Sequence, residues 1–144
     1  MKLTDFPLAW RWTDKEHTVL PDHVLSHISP QDPEQAQSLH RLSLQFLGSD
    51  SLSPEQFTIE QLSLGTQEPQ PITNWLHEKH QQQETRVFLS WAQDMAVITN
   101  WGILTKYWQD FYYPSSDDLV VWPEHLGWAV LFHHAEFIQF GKRL

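Results

Sequence analysis

The spacing of apolar positions changes character part-way along the chain. In the first half it is helical. Pro21 begins a segment with Leu25 and Ile28 one turn apart, and proline suits a first helical position. Asp32-Pro33-Glu34-Gln35 reads as a cap followed by a helix start. Leu39, Leu42, Phe46 and Leu47 then share one face, with Gly48 as the stop. Ser53-Pro54-Glu55-Gln56 repeats the start signal, but Phe57-Thr58-Ile59-Glu60 also alternates like a strand, so residues 54–64 stay open between helix and strand. Gly65 to Pro71 is predicted as a loop. Ile72, Trp75, Leu76 and Lys79 suit an amphipathic helix.

From Thr85 the period shortens. Arg86 to Trp91 and Met95 to Thr99 are β-rich runs around Ala92-Gln93-Asp94, the pattern of a hairpin. Asn100 is placed to cap a helix carrying Leu104, Trp108 and Phe111, closed by Pro114. Ser115-Ser116-Asp117-Asp118 is a polar turn. Leu119 to Trp122, Trp128 to Phe132 and Glu136 to Phe140 read as strands, the last two joined at His133-His134-Ala135. Helices first and strands later predict an α+β fold, with N-terminal helices packed on one face of a C-terminal antiparallel β-sheet. The 144 residues fit a single domain, with a helical acidic part over 1–84 and an aromatic-rich sheet part over 85–144.

Composition sharpens this division. Residues 1–80 hold 11 acidic and 5 basic side chains, while residues 86–144 hold 13 of the 19 aromatic ones. The formal charge of -9 argues against nucleic acid as a partner, since phosphate neutralisation needs clustered lysine and arginine. The chain has no cysteine, which excludes disulfides, thiolate metal sites and a cysteine nucleophile. No apolar run approaches the ~20 residues of a membrane helix, and no apolar leader follows Lys2. The expectation is a cytoplasmic protein with no membrane partner.

Nine histidines make imidazole the first candidate for chemistry. His23 and His27 are one helical turn apart and could share a metal with Asp22 or His17, although a partly exposed surface helix is the favoured reading. His77-Glu78-Lys79-His80 has one residue too few between its glutamate and second histidine for a zinc-protease helix. His133 and His134 are adjacent, and in a regular strand they would face opposite ways; a turn would relax that limit, and His134 with Glu136 could then meet on one face.

The densest segment runs from Trp101 to Asp118. Trp101, Lys106, Tyr107 and Tyr113 beside Ser115, Ser116, Asp117 and Asp118 offer an aromatic wall and a polar turn, a combination suited to a sugar, a peptide or a cation. Asp117 or Asp118 could act as acid, base or ligand, with His133 or His134 as partner. The plainer alternative is that the aromatics are core and the acids cap a turn. There is no glycine-rich phosphate loop, serine nucleophile elbow or calcium-loop spacing, and neither cofactor nor metal is expected.

Thr99-Asn100-Trp101-Gly102-Ile103, Lys106-Tyr107-Trp108, Phe111, Pro114 to Asp118, Trp128 and Phe137 to Gly141 together resemble an uncharacterised bacterial domain family over residues 85–144. That resemblance implies a small bacterial protein and no particular activity. The late hairpins are also similar in layout to the Smi-like immunity domains. Two functions follow from these readings. One is a non-enzymatic binding or inhibitor protein whose acidic charge steers a basic protein partner. The other is a small enzyme or ligand-binding domain with its site between the Trp101–Asp118 segment and the His133–Glu136 hairpin.

Overall fold

A computed structural model describes residues 1–65 and 68–144. The described chain contains six α-helices: α1 (Trp10–Thr13), α2 (Asp22–Leu25), α3 (Pro33–Gln45), α4 (Pro69–Lys79), α5 (Trp101–Lys106) and α6 (Trp108–Phe111). Seven strands accompany them: β1 (Ser29–Pro30), β2 (Phe57–Ser63), β3 (Arg86–Ala92), β4 (Met95–Asn100), β5 (Leu119–Pro123), β6 (Trp128–His133) and β7 (Phe137–Arg143). All seven form one antiparallel sheet in the order β1-β4-β3-β5-β6-β7-β2. The fold is therefore mixed α+β.

The local signals hold at several starts. The Asp32 carboxylate accepts a hydrogen bond from the Gln35 amide at the head of α3, and the Asn100 side chain accepts one from Ile103 at the head of α5. Each satisfies an amide with no partner inside its helix. Of residues 54–64, open between helix and strand, Phe57–Ser63 resolves as β2, because pairing along the whole of β7 covers an otherwise bare sheet edge, and residues 54–56 form a turn before it. The loop expected over 65–71 is shorter than that. Pro69 and Pro71 lie in the first turn of α4, and residues 66 and 67 fall outside those described. The helix expected through Phe111 breaks at Tyr107, where φ is -114° and ψ 27°. The break turns Trp108 toward α4, where its Nε1 donates to Thr73 Oγ1 at 3.0 Å.

Two expectations are corrected. First, strands are not confined to the second half: β1 and β2 come from residues 1–84 and form the two edges of the sheet. Second, the helices do not lie on one face. Val87 and Leu89 of β3 point into a core shared with Trp12, Val24, Ile72, Leu76, Trp101, Leu104 and Phe111 of the other five helices. Phe88, between them, points the opposite way, with Val120, Trp122 and Leu131, into a second core closed by Leu39, Leu42 and Phe46 of the α3 segment. Alternation along a strand puts those sets on opposite faces. The physical reason lies in β5 and β6, whose apolar residues run without a break; both are buried from end to end, so each face needs a cover.

Candidate functional site

The β6–β7 hairpin positions the central residues. His133 pairs with Phe137 across a three-residue loop of His134, Ala135 and Glu136. Glu136 takes a left-handed conformation with φ 64°, which closes such a loop. The chain leaves strand geometry at His134, so the two adjacent imidazoles do not diverge. They stack with centroids 4.3 Å apart and planes 27° apart, and the His133 ring also stacks on Phe137 at 4.4 Å.

Each imidazole faces a carboxylate. His134 Nδ1 lies 2.9 and 3.0 Å from the two oxygens of Asp118, and the His134 amide donates to Asp118 Oδ1 at 2.9 Å. Burial alone would raise the Asp118 carboxyl, but the hydrogen bonds from His134 and the nearby imidazole charges outweigh it and hold it below the usual carboxylate range. His133 Nε2 lies 3.2 Å from Asp50 Oδ1, and its Nδ1 accepts the Ala135 amide at 2.9 Å. These contacts put the lone pair of His133 on Nδ1 and its proton on Nε2, facing Asp50. The Tyr112 hydroxyl donates to the His133 carbonyl from beneath. Burial, then the charges of Glu136, Asp117 and Asp118, push its phenol well above the ordinary range, so it stays protonated in that bond.

Asp50 reaches the hairpin from the distant segment after α3. Leu47 and Leu52 form an isolated antiparallel bridge, and the Gly48 amide donates to the Ser51 carbonyl. Asp50 sits at the tip of this small turn with φ 64°. The turn is tied to the sheet by the buried Gln139, whose Oε1 accepts the Leu52 amide at 2.9 Å while its Nε2 donates to Gln61 Oε1 at 2.8 Å. Between turn, α3 and sheet lies a cavity of about 350 Å³, within the range of small-molecule sites, roughly 300–1,000 Å³. Leu44, Leu47, Trp91, Val120 and Leu131 supply apolar wall, and Asp50, Asp118 and His133 stand among its polar lining. Ser90 also lines it; its hydroxyl is buried and has no hydrogen-bond partner among the described residues.

The remaining sequence-predicted residues go elsewhere. Trp101 is fully buried, its Nε1 donating to the His80 carbonyl, so it is core and not a binding wall. Asp117 turns away from Asp118 into a paired bond with Arg11, at 2.6 and 3.1 Å, and also accepts the Tyr113 amide. The Arg11 guanidinium lies 3.9 Å over the Tyr113 ring, so Tyr113 and Asp117 both hold the buried Arg11. Ser115 and Ser116 are exposed in the turn, with Ser116 Oγ donating to the Tyr113 carbonyl. Lys106 and Tyr107 border a separate open cavity with His23 and His27. Glu136 is exposed and contributes its backbone geometry to the hairpin. Of the predicted set, Asp118, His133 and His134 converge. Asp118 and His133 also line the cavity, where Asp50, Ser90, Trp91 and His40 join them without any local sequence signal, because they come from segments far away in the chain.

Comparison with protein-family models, with curated proteins and with solved structures finds no match for this chain. Its site is therefore read from its own chemistry.

Proposed function

We propose that the protein is a small-molecule-binding domain whose ligand occupies the cavity between the Gly48–Ser51 turn, α3 and the β6–β7 hairpin. The observation that carries this reading is a cavity lined by Ser90, whose buried hydroxyl has no hydrogen-bond partner among the described residues, and by the carboxylates of Asp50 and Asp118. A buried hydroxyl without a partner costs about 1–3 kcal/mol, and rotation of the Ser90 side chain toward a ligand atom in the cavity would remove that cost. The walls between these polar groups are apolar, and no lysine or arginine lines the cavity among the described residues. The matching ligand has an apolar or aromatic body, a hydrogen-bonding group at one end and a positive charge at the other.

Tyramine has this form, and 4-hydroxyphenylacetate reverses its charge at nearly constant shape. Calorimetric titration with both probes tests the reading. Tyramine is expected to bind with a Kd of about 1 mM, the scale for ~10 heavy atoms, while the carboxylate does not bind. Leu44→Trp, at the exposed rim of the cavity, should abolish binding in a folded protein. Equal binding of both probes, or tyramine binding that survives Leu44→Trp, contradicts the proposal.

A second reading keeps the support of the charge of -9: an acidic, non-enzymatic inhibitor of a basic protein. Its partner should associate more slowly as salt rises, and a partner captured equally well at high and low salt counts against it.

A further inference from the structure

We propose that Asp118, His133 and His134 form a binding site for a divalent transition-metal ion of the zinc type, with Asp50 as the outer partner of His133. One potential ligand atom from each of the three lies within 4.8 Å of the other two. Two imidazoles and a carboxylate, with no thiolate available, are the donor set that first-row ions such as Zn²⁺ take. This goes beyond the cavity reading but shares Asp118 and His133 with it.

The arrangement around the cluster supports this assignment in two ways. A ligating histidine commonly donates its other ring N–H to a carboxylate, which fixes the ring and makes the ligating nitrogen more basic. His133 already stands in that relation to Asp50, with its lone pair on Nδ1. A metal there competes with one backbone hydrogen bond, from Ala135. His134 Nδ1 and Asp118 already face one another at hydrogen-bond distance, so a metal takes the place of the proton they share.

Closure to bonding distance asks little of the chain. Zinc bonds of about 2.0–2.2 Å put tetrahedral ligand atoms about 3.4 Å apart, against the 4.8 Å that bounds the present separations. Asp118 and His134 expose about half of their side chains, 53% and 52%, so both can rotate inward. The buried member is His133, held by Asp50, Phe137 and the Ala135 amide. Three protein ligands leave a fourth position for water; a bound cation would offset the charge of Asp118, so the tyramine titration is made on the metal-free protein.

The test uses the full chain freed of metal with EDTA and titrated with Zn²⁺ by calorimetry, then with Co²⁺ by visible absorption. The wild type should bind one Zn²⁺ saturably. A His134→Ala/Asp118→Asn double variant, altered only at exposed side chains, should lose binding and the Co²⁺ band. Asp50→Ala should weaken binding about 10–100-fold while leaving the stoichiometry at one. Replacing both His23 and His27 by alanine should change nothing. Absence of saturable binding in the wild type, or binding that the double variant retains, or loss on replacing His23 and His27, overturns the assignment. Leu44→Trp separates the two proposals: it blocks tyramine and leaves zinc in place, so either can fail while the other stands.

Discussion

Ser90 lies on β3 and lines the cavity together with apolar side chains and with Asp50, Asp118 and His133. Its hydroxyl is buried and has no hydrogen-bond partner among the described residues. Ser90→Ala is therefore expected to raise the stability of the free protein by about 1 kcal/mol, read as a higher denaturant midpoint, while weakening tyramine. A destabilising Ser90→Ala would mean that the hydroxyl has a structural partner, and would remove the observation on which the ligand reading rests. Asp118 makes a pH prediction at the same scale. Its carboxyl is held below the ordinary range in the folded protein, so its contribution is present above the unfolded-state pKa, near ~4, and is lost as pH falls through the lower folded value. The stability difference between wild type and Asp118→Asn should thus shrink below about pH 4 in acid-unfolding curves. A difference that stays constant to lower pH would contradict the His134–Asp118 pairing.

At the scale of elements, the hairpin is where local chemistry and site geometry meet. Glu136 occupies a left-handed position that glycine or asparagine usually fills. The strain of that conformation is about 1–2 kcal/mol for a residue with a side chain, partly offset by the greater freedom of glycine in the unfolded chain. Glu136→Gly should therefore raise the thermal midpoint, by about 0.5–1 kcal/mol in stability, without changing the position of His133 or His134. A loss of stability would show that the Glu136 side chain holds the turn. The hairpin also marks the boundary of what was legible in the sequence. The sequence puts the turn joining the last two strands one residue early, at His133–Ala135 instead of His134–Glu136, whereas the β-rich runs and the Asn100 and Asp32 caps were visible because each depends on residues within one element. The stacking of His133 on His134 was not, since strand alternation argues against it and only the start of the turn after His133 permits it. Asp50 was out of reach altogether: it meets His133 across 83 residues of chain, through a loop pinned by Gln139.

Over the whole molecule, the sheet is covered on both faces, and that organises the site. One core holds most of the tryptophans and five of the six helices; the other, which holds Trp122, is a smaller layer under α3. The unbroken apolar runs of Leu119–Trp122 and Trp128–Phe132 already carried the signal for two covered faces, which the order of helices and strands along the chain obscured. The cavity sits where the α3 layer ends and the Gly48–Ser51 turn replaces helix, so that Asp118, His133 and Ser90 border a gap instead of a packed core. Tyr113 and Asp117, which the sequence grouped with Asp118, instead bind Arg11, joining α1 to the segment after α6, and leave the site. The central claim is that binding occurs at this one place. The most direct measurement is the backbone amide spectrum of ¹⁵N-labelled protein during titration with tyramine. The account predicts shifts concentrated at Gly48–Ser51, Ser90–Trp91, Asp118–Val120 and Leu131–Ala135; shifts centred on His23, His27 and Tyr107, or spread over the surface, would contradict it.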